Sequence, residues 1–128
     1  AYQWDSLHVD STGLGTQLAE ELVEAWGESE VTPVQFTAPA KESLVTGAFR
    51  WLAANALRFP LDDSGAALAD EGKSIHRTIT TSGNVSYTAP SIEGSHADRW
   101  TALCLALAGA GEPRAHRGVS TSPLVQPQ

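Results

Sequence analysis

A strand, a glycine turn, an amphipathic helix and a second strand follow one another within residues 7–37, and that order leaves few folds open. Residues 7–12 alternate, Leu7, Val9 and Ser11 against His8, Asp10 and Thr12, as a short strand does. Gly13-Leu14-Gly15 breaks the strand, and Thr16 is the expected N-cap of the helix that follows. Leu18, Leu22, Val23 and Trp26 share one face of that helix, with Glu20, Glu21, Glu24 and Glu28 on the solvated side and Gly27 as its stop. Residues 31–37 read as a second strand, which Pro33 makes irregular at its start or confines to an edge. Two strands joined through a helix are parallel, with a right-handed crossover. The fold class expected is therefore α/β.

Downstream, a helix is predicted over 41–55, with Leu44, Val45, Ala48, Phe49 and Leu52 on its apolar face. Residues 57–60 form a short extended piece ended by Pro60, and Asp62 or Asp63 caps a weaker helix over about 63–72. β-Branched and aromatic residues on both sides of Ser82-Gly83 predict a hairpin of 76–81 with 84–89. Residues 97–109 form a final helix that is apolar on nearly every face, hence buried. Trp4, Trp26, Trp51 and Trp100 read mostly as core. The parallel pair and the hairpin would make one thin sheet, the later portion of an α/β domain spanning 1–109. Residues 110–128, rich in Gly, Pro, Ser and Gln, read as a flexible tail.

Hydrophobic residues make up 41% and charged residues 18% of the 128, the balance of a globular chain. Acidic residues number 15 against 8 basic ones, a formal charge of −7. That argues against a nucleic-acid binder that holds phosphates by surface charge alone, but not against an acidic metal site, where the ion supplies the positive charge. The single cysteine, Cys104, excludes an internal disulfide and a cysteine zinc cluster, and fits a buried position in a reducing compartment. No apolar run approaches the roughly 18 residues of a membrane helix, and the first residues have no signal-like stretch. Methionine is absent, even at position 1, so the chain is expected to be a processed product or a piece of a longer protein.

Few residues offer chemistry. Asp10 closes a parallel strand, where sites of open α/β sheets gather, although an Asp there also serves simply to hold turn amides. Gly13-Leu14-Gly15 lacks the third glycine of a dinucleotide fingerprint and the Lys-Ser/Thr of a phosphate loop, so its glycines read as a tight turn. Ser95-His96-Ala97-Asp98 opens the last helix. Asp98 there is either a cap or an acid at the edge of the core; facing Asp10, it would form a carboxylate pair suited to Mg²⁺ or Mn²⁺. His8, His76 and His116 have no metal-ligand spacing, and no Gly-x-Ser-x-Gly elbow occurs.

Taken in order, several segments carry a resemblance: Val9-Asp10-Ser11-Thr12-Gly13-Leu14-Gly15, Val34-Gln35-Phe36-Thr37 with Lys41, Leu57-Arg58-Phe59-Pro60, and Gly94-Ser95-His96-Ala97-Asp98-Arg99 running into Ala102–Ala108. Over roughly residues 7–108 the chain resembles the C-terminal nuclease domain of phage large terminase subunits, particularly the terminase-like proteins of Mu-type phages and prophages. The resemblance implies an RNase H-like fold and a Mg²⁺- or Mn²⁺-dependent endonuclease that cuts double-stranded phage DNA during packaging. It implies small terminase subunit and portal as partners of the parent protein, and the bacterial host cytoplasm as its place. Asp10 matches the acid of the family's D-x-T-G-x-G segment, Asp98 that of its late H-x-D segment with His96 beside it, and Lys41 a basic position toward substrate. The family's first catalytic acid sits on an earlier strand that this chain lacks, so the domain is expected to want its first strands and to cut weakly alone. Two other readings remain: a non-catalytic module that pairs through an exposed sheet edge, and another RNase H-like enzyme such as a resolvase or transposase.

Overall fold

A computed structural model describes residues 3–88 and 97–114 of the chain. It is mixed α/β. Strand β1 (Leu7–Asp10) leads through helix α1 (Gly15–Trp26) to β2 (Val31–Val34), and the strands pair in parallel with Leu7 opposite Val31 and Asp10 opposite Val34. Helices α2 (Ala38–Ala53) and α3 (Asp63–Ser74) follow, then an antiparallel hairpin of β3 (His76–Ile79) and β4 (Val85–Thr88), and finally α4 (Asp98–Ala110).

The expected elements all form, in the expected order, with shorter strands and with α2 starting three residues earlier than predicted. Thr37 supplies that earlier start: its side chain accepts the Ala40 N–H at 3.3 Å and Pro39 follows in the first turn. Thr16, in contrast, is not a cap. It lies inside α1 and donates its hydroxyl to the Ser11 carbonyl at 2.7 Å, tying the helix to the end of β1.

The single thin sheet does not form among the described residues. β1 pairs with β2 and β3 with β4, as two separate two-stranded sheets. The two sheets pack on different helices, β4 of the hairpin on α2 and β1 on α4. The core is correspondingly helical. Ala48 of α2 meets Ala97, Trp100, Cys104 and Leu107 at and along α4, with Leu68 of α3 and Ile75 against them. Gly72 makes this possible, since a Cβ there would stand 2.6 Å from Cζ3 of Trp100.

Of the four tryptophans only Trp100 is buried outright. Trp51 is half-buried, whereas Trp4 and Trp26 are 47% and 51% exposed and pack on one another with ring centroids 5.2 Å apart. The apolar face expected of α1 is likewise bare in part: Ala19 is its buried residue, Leu22 and Val23 are half-buried, and Leu18 is exposed. Phe49 of α2 is exposed too. Two four-residue strands are too narrow to cover such faces. At the other end, α4 runs to Ala110 and the next residues lie on α2. The Trp51 Nε1–H donates to the Gly111 carbonyl at 3.1 Å, and Arg50 pairs with Glu112 at 2.8 Å. The start of the expected tail is thus attached; residues 115–128 lie outside the described residues.

Candidate functional site

The turn after β1 is built to aim Asp10. Its Oδ1 accepts the Thr12 N–H at 2.8 Å, and the Thr12 hydroxyl in turn accepts the Phe36 N–H at 2.8 Å, joining the ends of β1 and β2. Gly13 adopts φ +57°, open to glycine at little cost. Gly15 serves another purpose: a Cβ there would collide with the Asp10 carbonyl oxygen, so its bareness lets α1 start directly against the strand end. The turn-holding and functional readings of Asp10 are therefore compatible, because the Asx turn uses one carboxylate oxygen and fixes the direction of the other.

Asp98 is the first residue of α4, and exposed. It does not cap the helix. That task falls to Glu71 of α3, whose carboxylate accepts the Trp100 N–H at 3.0 Å and Arg99 Nη1 at 2.7 Å. Burial alone would raise the Glu71 pKa, but the Trp100 N–H and the Arg99 guanidinium outweigh it and hold it below the ordinary value. Glu71 fixes the start of α4 from outside, leaving Asp98 unspent. No sequence pattern marked Glu71, since its partner is 28 and 29 residues away.

Asp10, Lys41 and Asp98 come together. All three line one cleft of about 440 Å³, whose walls include Phe36, Tyr87 and Trp100. Lys41, at the start of α2, is exposed and Asp10 half-buried. Cys104 also reaches this cleft, but burial pushes its thiol up to about 11, so it stays protonated and unreactive at neutral pH. Trp100 Nε1, buried, has no hydrogen-bond partner among the described residues. His96 lies outside the described residues, as does His116.

Two carboxylates are the hard oxygen donors that Mg²⁺ and Mn²⁺ prefer. Among the described residues no group of three His, Cys, Asp or Glu side chains gathers to hold an ion. Asp10 and Asp98 have the donor chemistry that a divalent metal takes, and they are two carboxylates rather than a gathered set of three. No helix among them is long and apolar enough to cross a membrane. Compared with protein-family models, curated proteins and solved structures, the chain matches none.

Proposed function

We propose that the chain is part of an RNase H-like, metal-dependent nuclease domain of the phage terminase kind, acting on the phosphodiester backbone of double-stranded DNA. One observation carries this reading: Asp10, Lys41 and Asp98, drawn from three separate elements, line a single cleft. Asp10 and Asp98 would hold Mg²⁺ or Mn²⁺, and Lys41 would offset the charge of the phosphate beside them. Bound metal would supply positive charge to the scissile group and lower the pKa of the attacking water. The Asx turn keeps the free oxygen of Asp10 from swinging away, and Glu71 does the same for the backbone that carries Asp98. His96 enters as an aid to proton transfer through the resemblance alone. Small terminase subunit, portal and host cytoplasm belong to the same proposal.

Titrating Mn²⁺ into ¹⁵N-labelled protein tests the site directly. Paramagnetic broadening is expected first at Asp10, Thr12 and Asp98, and is lost in Asp10→Asn/Asp98→Asn. Broadening that ignores these residues sinks the metal site. In a chain extended upstream by the strands that this reading implies, Asp98→Ala should lower Mn²⁺-dependent plasmid cleavage by at least about a hundredfold with little change in Tm. Unchanged cleavage removes Asp98 from the site.

The assembly-module reading also has an observation in its favour. Among the described residues β1 pairs with β2 alone, a two-stranded sheet that a further strand would extend. A chain that associates through β1 while binding no Mn²⁺ would favour that reading.

A further inference from the structure

A second hollow lies on a surface that the proposed cleft does not use. It runs between α1 and β2, about 660 Å³, with half-buried Val23 and exposed Pro33 as the apolar surface of its floor and Glu20, Glu24 and Glu28 along its rim. Ala19 and Val31 are buried and the three glutamates exposed. Glu20 and Glu24 stand one helical turn apart, so their carboxylates repeat along the groove about every 6 Å.

The charge around the groove is one-sided. Residues 1–40 hold seven of the 15 acids and none of the eight Lys and Arg, so the chain's formal −7 resides there. From Lys41 onward, eight acids and eight bases cancel. Such a field repels nucleic acid and a second copy of the same surface, and attracts a cationic partner.

The backbone at the groove narrows the choice further. Leu7 N–H bonds to the Glu30 carbonyl and Ser11 N–H to that of Val34, so residues 31 and 33 of β2 turn their backbone nitrogens outward. Val31 N–H is already given to Gly27 at 3.1 Å, and Pro33 has none. An added strand would find no donors at the centre of this edge. A helix, whose own backbone bonds are internal, needs none, and an amphipathic one would lay its apolar stripe on the floor.

We infer that the α1–β2 groove docks an amphipathic helix bearing Lys or Arg beside its apolar stripe, supplied by a partner protein. Its apolar side covers Val23 and Pro33, above the buried Ala19 and Val31, and its cations meet Glu20, Glu24 and Glu28.

The test uses an 18-residue helical peptide of Leu and Lys with one apolar stripe, followed by ¹⁵N–¹H shifts of the full chain. Shifts should gather at Ala19, Val23, Val31 and Thr32, and E20K/E24K/E28K should weaken binding at least tenfold. E20Q/E24Q/E28Q should weaken it less. Because all three glutamates are exposed, both variants should keep the wild-type Tm. A peptide of identical composition scrambled to lose its stripe should bind at least fivefold more weakly. Equal binding by the scrambled peptide, undiminished binding by the charge-reversed variant, or shifts centred on the Asp10 cleft would overturn the inference. So would occupation of the groove by a short DNA duplex or by a second copy of the chain.

Discussion

Helices α1 and α4 are both strung with apolar residues, yet they end in opposite surroundings. In α4, Trp100, Cys104, Leu105 and Leu107 are all buried, the helix packing on α2, α3 and β1. In α1 only Ala19 is buried, while Leu18 and Trp26 face solvent. The difference is one of partners rather than of pattern. α4 has two long helices to pack on; α1 has two strands of four residues each. The same division holds for charge, since residues 1–40, which contain the β1–α1–β2 unit, carry the whole formal net charge and the rest of the chain none. An amphipathic pattern states that a face wants cover, and leaves open whether the chain itself provides it.

If stability resides around α4, truncating its tryptophan should cost far more than truncating that of α1. Trp100→Ala is expected to lose about 3–5 kcal/mol in urea unfolding. Trp26→Ala, half exposed against Trp4, should lose about 1 kcal/mol or less. Equal losses would erase the contrast.

The next effect tests whether the acidic unit has its own fixed point. Gly15→Ala drives a methyl into the Asp10 carbonyl, and should cost about 1–3 kcal/mol by thermal unfolding and displace Asp10 amide shifts. A neutral result would mean that α1 drifts freely on its strands.

Glu71 sharpens the comparison from the side of α4. Its folded pKa lies below the ordinary 4.5, so its stabilisation is in force above that value and is lost as pH falls through the lower folded one. Glu71→Gln should cost about 1–2 kcal/mol at pH 7, mostly through the Trp100 N–H because Arg99 is largely solvated. The gap between variant and wild type should close as pH falls through that lowered value. A gap independent of pH would assign the effect to shape instead of charge. Smallest of all, Glu112→Ala should cost about 0.5 kcal/mol or less, since the Arg50 pair is exposed on both sides.

Much of this was legible beforehand. Periodicity and turn residues located every element, and the resemblance pointed to Asp10, Lys41 and Asp98, which one cleft then brings together. What escaped was set by contacts distant in the chain. Trp4 and Trp26 read as core because periodicity records hydrophobicity and not available cover. Glu71 looked like any helix-surface acid, because its target amide belongs to another helix. The split into two sheets depends on where α2 and α4 settle, which no local pattern encodes.

The collision that forbids a side chain at Gly15 also bears on descent. An acid such as Asp10 can be traded for a glutamate reaching from elsewhere, and a lysine such as Lys41 for an arginine. Position 15 has no such substitute while the helix begins where it does. In sequences that have drifted far from this one, that glycine should mark the turn even where the acid has gone, and a search weighted on it would reach kin that a search for carboxylates would miss.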